Sequence, residues 1–167
     1  MIEGRQVPQK PVLEVLCAIQ GALGAENQEI FSIAGISLGR EWAKTIPRAS
    51  DVEDLLEKIA SYLRDGLQLA KTVEFERENQ DYVIRVRGCH LCHGHLVRER
   101  HGIVPACAIL MFPLGALMEN LGVRSARLKE VRKSDRPGDC DMVYSISLRR
   151  SGAGAPESKP GTEKVTD

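Results

Sequence analysis

Apolar residues recur at the spacing of a helix through the first part of the chain. The pattern predicts three helices, over residues 11–23, 27–46 and 50–70. The third is the most clearly amphipathic of the three, and Ser50 with Glu53 forms a capping box at its start. The first 70 residues are therefore expected to be helical, with short connections between the helices.

Two glycines lie four positions apart in the second predicted helix. Gly35 and Gly39 leave one side of this helix without side chains. A bare side of this kind permits another backbone to approach closely, although each glycine lowers the helix propensity by roughly 1 kcal/mol relative to alanine. We therefore expect a close contact at this side of the helix.

Alternating apolar and charged residues follow the helices. Residues 72–78 and 82–87 alternate on both sides of a polar turn, which predicts a β-hairpin. Two more strands are predicted over 125–131 and 141–149, joined by a turn that contains Asp, Pro and Gly. Strands that arrive as two hairpins predict an α+β fold, with helices packed on one side of a four-stranded antiparallel sheet.

The segment 103–118 contains no charged residue. A membrane-spanning helix needs about 20 apolar residues, and Pro105 and Pro113 interrupt this shorter segment, so we expect no membrane span. The pattern instead predicts a buried helix over 105–121 that is kinked near Pro113. Its second apolar face must pack against other helices, a dimer partner or a ligand.

The length of 167 residues suits a single domain. We interpret residues 1–10 as an N-terminal extension, residues 11–150 as the domain, and residues 151–167, which are rich in Gly, Pro, Ser, Glu and Lys, as a disordered tail. The N-terminus lacks a signal-peptide pattern. We therefore expect a cytoplasmic protein with reduced thiols.

Charge and aromatic content argue against a nucleic-acid partner. Lys and Arg total 23 and Asp and Glu total 23, so the net charge is zero with neutral His, and aromatic residues make up 4% of the chain. Surfaces that bind phosphate are normally basic, and base stacking requires aromatic side chains. We expect no nucleic-acid binding.

Four of the five cysteines and all four histidines lie between Cys89 and Cys140. Residues 89–95 read Cys-His-Leu-Cys-His-Gly-His and carry five candidate metal donors directly after a predicted strand. Zinc prefers thiolate and neutral imidazole, and a Cys-x-x-Cys turn brings two sulfurs to one ion. One such pair is half of a tetrahedral site, so the other half must come from Cys107, Cys140 or a nearby histidine.

Other interpretations of the same segment remain open. Cys89, Cys92 and His93 have the spacing of a c-type haem attachment motif, and the two cysteines alone have that of a dithiol redox motif. The residues can also be ordinary polar loop residues, with Cys107 as a small residue of the buried helix. Cys17, inside the first predicted helix, is interpreted as a buried structural thiol.

Glu130 is the one carboxylate predicted to face inward. Strand alternation places it on the same face as Ala126 and Leu128. A buried carboxylate requires a partner. A metal cation or an arginine would satisfy this requirement.

Several short motifs follow the order of the predicted elements. They are Ala-Gly-Ile-Ser-Leu-Gly at 34–39, Cys107, Gly115, Glu130 and Gly-Asp-Cys at 138–140. With them the chain resembles, over about residues 11–148, the 4-vinyl reductase domain family, which is structurally related to the small subunits of the transport protein particle. The resemblance implies helices packed on an antiparallel sheet, a homodimer, and a hydrophobic small-molecule ligand. Domains of this family often form the sensor part of a regulatory protein. Some members of the family carry zinc beside the pocket.

The family's metal pattern is a cysteine that opens the buried helix, a Glu-x-x-Cys on the next strand and a cysteine after the Gly-Asp turn. The resemblance assigns these positions to Cys107, Glu130 and Cys140. Lys133 stands where the second cysteine of the pattern is expected, and lysine is a poor zinc ligand at neutral pH. The missing donor must then come from residues 89–95, or the metal is not zinc.

These observations predict a domain that binds or senses a hydrophobic small molecule and contains a Cys/His-rich metal site, with zinc as the expected metal. The candidate metal ligands are Cys89, Cys92, His93, His95, Cys107, Glu130 and Cys140. The candidate residues for the apolar ligand are Trp42, Ile109, Met111, Phe112 and Leu114. The alternatives are a metal- or thiol-dependent enzyme, and a haem or iron–sulfur redox sensor that uses residues 89–95; whether the domain is catalytic stays open.

Overall fold

The computed structural model describes residues 9–147. The helices are α1 Gln9–Leu23, α2 Asn27–Ala43, α3 Val52–Ser61, α4 Gly94–His101 and α5 Phe112–Asn120. The strands are β1 Thr72–Glu78, β2 Asp81–Arg87, β3 Ser125–Lys133 and β4 Cys140–Ser147. The predicted α+β fold is confirmed, because the strands form one antiparallel sheet in the order β1-β2-β4-β3 and helices pack against it.

The predicted termini fall largely outside the described residues. These are residues 1–8 of the extension, the tail over 151–167 and the last two positions of the strand predicted over 141–149. Gln9 and Lys10, which were assigned to the extension, instead form the first turn of α1. Within residues 9–147, no helix has the length and apolar character that a membrane crossing requires.

The hydrophobic core lies between one face of the sheet and the helices. Val73 of β1, Ile84 of β2 and Tyr144 of β4 are fully buried on this face, in the same cluster as Leu55 and Ile59 of α3. The alternation of apolar and charged residues in the strands produces this arrangement, because successive side chains point to opposite faces of a sheet.

Helices α2 and α5 pack with their backbones in direct contact. A Cβ atom at Gly39 would lie 2.1 Å from the carbonyl oxygen of Phe112, and one at Gly115 would lie 2.0 Å from that of Ile36. At Gly35 the nearest atom would be the carbonyl oxygen of Ala108, also at 2.1 Å. The close contact expected at the bare side of α2 is confirmed, and it holds the segment before α5 against α2.

The ends of the helices differ from the predicted ones. Helix α2 ends at Ala43 instead of residue 46. The capping box predicted for Ser50 and Glu53 is wrong by one residue: Asp51 is the cap, and its side chain accepts a hydrogen bond of 2.8 Å from the Asp54 amide. The Asp54 carboxylate accepts in return from the Ser50 amide at 2.8 Å. The carboxylate of Asp54 thus takes the role of the glutamate in a capping box, because it satisfies an amide that has no partner within the helix.

The buried helix predicted over 105–121 is wrong in its first part. Residues 104–107 have no regular secondary structure, and a 3₁₀ turn at Ala108–Leu110 precedes α5. Pro113 lies in the first turn of α5 and causes no kink, because proline is well accommodated where the amide lacks a helical partner. Helix α4, which the sequence pattern did not predict, follows the cysteine-containing loop.

Candidate metal centre

Four cysteines from three separate segments line one cavity of about 100 Å³. Cys89 and Cys92 lie in the loop after β2, Cys107 precedes the 3₁₀ turn before α5, and Cys140 opens β4. We call these four residues the thiol cluster. Cys17 is buried in α1 and is not among the residues that line this cavity.

The remaining wall of the cavity is mostly apolar. Leu91, Pro105, Leu110 and Val131 contribute to it. Pockets for drug-sized molecules usually have volumes of about 300–1,000 Å³, whereas this cavity measures about 100 Å³. Its size and its sulfur atoms therefore suit an ion better than an organic ligand.

Burial and mutual repulsion raise the pKa values of three thiols of the cluster, those of Cys89, Cys107 and Cys140. Burial raises the pKa of Cys89 to about 11 and that of Cys140 to about 12, and it also raises the pKa of Cys107. Negative charge on the neighbouring cysteines, including Cys92, raises each of these pKa values further. The four thiols are thus close enough to interact electrostatically, and a divalent cation would remove the repulsion by replacing their protons.

The Gly-Asp turn holds Cys89 beside Cys140. The amide of Cys89 donates to the carbonyl oxygen of Gly138 at 2.9 Å, and the Asp139 carboxylate accepts from the amide of Gly88 at 2.8 Å. Gly138 has a φ of +96°, and a Cβ there would lie 3.1 Å from the backbone of Cys89. The turn therefore requires glycine at this position, both for its backbone conformation and for its close approach.

Side-chain amides hold the segment that contains Cys107. Asn27 donates to the carbonyl oxygen of Val104 at 3.0 Å, and Gln28 donates to that of Pro105 at 2.9 Å. These contacts satisfy the carbonyl groups of a segment that has no regular secondary structure. The start of α2 thereby fixes the path of the chain into the thiol cluster.

The two candidate histidines have different positions. His93 lines the cavity, but its Nδ1 contacts the carbonyl oxygen of Leu91 at 2.6 Å and its Nε2 contacts the amide of Gln20. Because both ring nitrogens are engaged, His93 is a structural residue in this arrangement. His95 is exposed on α4 and does not line the cavity.

The prediction that Glu130 faces inward is wrong. Glu130 is exposed, and its carboxylate pairs with the guanidinium of Arg132 at 2.5 Å. A register shift between Leu128 and Glu130 reverses the alternation of β3, so Val131 takes the inward position and lines the cavity. The shift leaves a trace in the sequence, because apolar Val131 is out of phase with Ala126 and Leu128.

Lys133 contributes a positive charge to the cavity. It pairs with Cys140 across β3 and β4, lines the cavity, and lowers the pKa of Cys107 against the larger effect of burial. The ammonium group of Lys133 is therefore placed where it can offset thiolate charge.

In this arrangement the metal-binding side chains around the cavity do not point to one common site. Among residues 9–147, no group of three or more His, Cys, Asp or Glu side chains is arranged so that it could hold a metal ion. A cysteine sulfur moves by rotation about a single side-chain bond between staggered positions. Coordination by the thiol cluster would therefore require side-chain rotation.

Most candidate residues for the apolar ligand belong to the core. Trp42, Phe112 and Leu114 are buried there, and the rings of Trp42 and Phe112 lie 5.4 Å apart. Ile109 is half-buried against the core. Met111 lines a second cavity of about 70 Å³ next to Cys107. Core packing, which was one explanation for the apolar face of this segment, thus accounts for the three buried residues and in part for Ile109 and Met111, which pack against the same core.

No protein-family model matches the sequence, and no curated protein is significantly similar to it.

Proposed function

We propose that this domain binds one zinc ion through Cys89, Cys92, Cys107 and Cys140. The observation that carries the proposal is the placement of four thiols, from three segments of the chain, around one small cavity. Four thiolates are a common ligand set for structural zinc, which is tetrahedral. Because the four ligands come from the loop after β2, the segment before α5 and the start of β4, the ion would link elements distant in sequence.

The charge balance of the cavity supports this assignment. Four thiolates around a divalent cation carry a net charge of about −2. Lys133 lies at the same cavity and supplies one positive charge. Cys89 and Cys140 hold their protons without a metal because burial raises the pKa values of their thiols. Metal binding would therefore release protons, as is usual for thiolate sites.

The ligand set departs from the pattern of the 4-vinyl reductase domain family, to which we propose the chain belongs. Cys107 and Cys140 occupy family positions, while Cys89 and Cys92 would take the places of the carboxylate and the second cysteine. Glu130 lies on the outer face of the sheet and takes no part in the proposed site.

Metal content measured by mass spectrometry tests the zinc site. We expect one zinc per chain in the purified protein and strongly reduced zinc in Cys107→Ser and Cys89→Ser. Cys17→Ser is the matched control, because it removes a buried thiol outside the cluster, and Glu130→Gln tests the excluded carboxylate. Both should retain one zinc. Undiminished zinc in the two cluster variants, or a wild-type protein that binds none, would overturn the proposal.

The same four cysteines favour a second candidate, an iron–sulfur cluster, because such clusters are also held by four thiolates. An absorption spectrum of the protein purified without oxygen separates the two. A colourless protein with bound metal supports zinc. A broad visible charge-transfer band supports iron–sulfur, and a Soret band would identify haem.

We further propose that the domain senses an apolar small molecule, as its family resemblance implies. The support within the structure is the half-buried Met111, which lines a small cavity together with Cys107. Mass spectrometry of solvent extracts should detect a copurified apolar compound. Empty extracts, together with a melting temperature that no apolar ligand raises, would contradict this function.

Exposed apolar side chains on α1 and α2 support the homodimer or the regulatory partner that the resemblance implies. Val15 and Ile33 are 57% and 60% exposed. The molar mass in solution, measured by light scattering, tests the dimer. A monomer at all concentrations would overturn it, and Ile33→Ser should weaken association if α2 lies at the interface.

A further inference from the structure

Gln20 is a fully buried polar residue of α1. Its Nε2 atom donates to the carbonyl oxygen of Ala106 at 2.7 Å, and its Oε1 atom accepts from the amide of Ala106 at 2.8 Å. The side chain thus pairs with both backbone groups of one residue, as a neighbouring strand would. The second hydrogen on Nε2 is directed to Nε2 of His93.

Both partners of Gln20 are next to cluster cysteines. Ala106 precedes Cys107, and His93 follows Cys92. The other ring nitrogen of His93 contacts the carbonyl oxygen of Leu91, within the same loop. A neutral imidazole with its proton on Nδ1 satisfies both contacts, since Nε2 then accepts from Gln20. One amide group therefore connects two of the three segments that carry the thiol cluster.

We propose that Gln20 is a positioning residue for the metal centre, and that it couples metal binding to the docking of α1. The inference rests on the proposed zinc site. Gln20 would contact no metal; it would set the distance between the loop of Cys92 and the segment of Cys107. Residues that orient metal ligands typically change metal affinity about 10- to 100-fold when they are replaced.

The contacts of α1 explain why the coupling would pass through this residue. Helix α1 packs mainly on α4, where an ion pair joins Arg100 to Glu14. Near its start, Gln9 donates to the carbonyl oxygen of His90 at 2.9 Å. These contacts are exposed, whereas Gln20 is buried. Because coupling between two binding events is reciprocal, a metal that orders the thiol cluster should also stabilise α1 against local opening.

The first test compares cobalt(II) affinity in two variants that each lose a side-chain amide bonded to backbone groups. Gln20→Met has a similar volume and makes none of the three hydrogen bonds. Asn120→Ala is the control, since the Asn120 amide also bonds backbone groups, the amide of Ala49 and the carbonyl oxygen of Pro47, but lies outside the segments that carry the thiol cluster. Competition with a chelator gives the Kd, and the thiolate-to-cobalt absorption reports the ligand set.

We expect Gln20→Met to raise the Kd for cobalt about 10- to 100-fold and to lower the thiolate-to-cobalt absorption, while Asn120→Ala changes the Kd less than about threefold. Equal affinities in the two variants, with wild-type binding intact, would overturn the role of Gln20 and leave the metal centre standing. If the wild-type protein binds neither cobalt nor zinc, the proposed metal centre itself is overturned, and the role of Gln20 with it.

A second measurement needs no variant and so does not depend on whether Gln20→Met folds. Amide hydrogen exchange of the wild-type protein is followed with and without zinc. We expect zinc to slow exchange in α1 around Gln20 at least about tenfold, and more than in the exposed residues 28–30 of α2. Exchange in α1 that zinc leaves unchanged would overturn the coupling.

Discussion

Replacement of Gly35 by alanine should weaken metal binding, although Gly35 contacts no cysteine side chain. The new Cβ would lie 2.1 Å from the carbonyl oxygen of Ala108, where ordinary contacts begin at 3.4 Å. Since that oxygen belongs to the backbone, the segment must move by about 1 Å. Ala108 follows Cys107 directly, so the displacement reaches the thiol cluster.

The magnitude follows from two opposing effects. Overpacking costs roughly 1–3 kcal/mol, and we take the upper half of this range because a backbone oxygen cannot rotate away. Alanine regains about 1 kcal/mol of helix propensity over glycine. The net loss of about 1–2 kcal/mol lowers the melting temperature of the metal-free protein by about 3–8 °C.

Gly39→Ala provides a matched control for this prediction. Its Cβ would meet the carbonyl oxygen of Phe112 at the same distance of 2.1 Å, one turn farther from the thiol cluster. We expect a similar loss of stability in the metal-free protein. When metal holds Cys107 in place, the adjacent Ala108 can no longer move away from the new Cβ, so only Gly35→Ala should also strain the metal-bound state. A strain of about 1–2 kcal/mol corresponds to a 5- to 30-fold higher Kd.

Thermal unfolding of the metal-free proteins and chelator competition with zinc measure the two effects. Equal zinc affinities in Gly35→Ala and Gly39→Ala would refute the link between the α2 contact and the cluster. A higher melting temperature in both variants would refute the close backbone contact itself, because helix propensity would then be the larger effect.

Three further predictions concern the cluster and its support. The raised pKa values of Cys89 and Cys140, about 11 and 12, exceed the value of about 8.5 for an unfolded thiol. In the metal-free protein, the contribution of these two thiols to the free energy of unfolding should therefore be fully present below about pH 8.5 and be lost as the pH rises through 11 to 12. Urea unfolding between pH 8 and 11 measures the loss, and an unchanged midpoint would contradict it. Tyr144→Phe removes a buried hydrogen bond of 2.8 Å to the carbonyl oxygen of Leu110 and should lower the free energy of unfolding by about 1–3 kcal/mol; a denaturant midpoint equal to that of the wild type would refute this. Asp51→Ala removes the cap of α3 and should lower it by about 1 kcal/mol, measured in the same way, whereas a loss below about 0.3 kcal/mol would show that the cap contributes little.

Local patterns predicted most of the secondary structure. The third helix and the first hairpin follow from apolar periodicity, and the packing of α2 follows from Gly35 and Gly39. Helix α4 escaped prediction because its residues are mostly polar and only Val97 is buried. The segment before α5 was predicted as helix because it is apolar, but side-chain amides hold it in a nonhelical path.

The candidate site was predicted in part. The Cys-x-x-Cys spacing identified Cys89 and Cys92, and the family resemblance identified Cys107 and Cys140. Gln20 did leave a signal, since it lies on the same helical face as Cys17, where a polar residue must find a buried partner. Nothing in the sequence indicates which backbone group it binds.

The sequence by itself determined the helices and strands that local periodicity encodes, the antiparallel hairpins, and the residue types able to bind a metal. Only the tertiary structure decided which of these residues meet. The pairing of β2 with β4 and the hydrogen bond from Cys89 to the turn at Gly138 bring Cys140 close to Cys89. The contact of α2 with the segment before α5 places Cys107 at the same cavity. A single bulge in β3 turns Glu130 away from it. Such contacts join residues far apart in the chain and depend on sheet register and backbone approach, which no local pattern encodes.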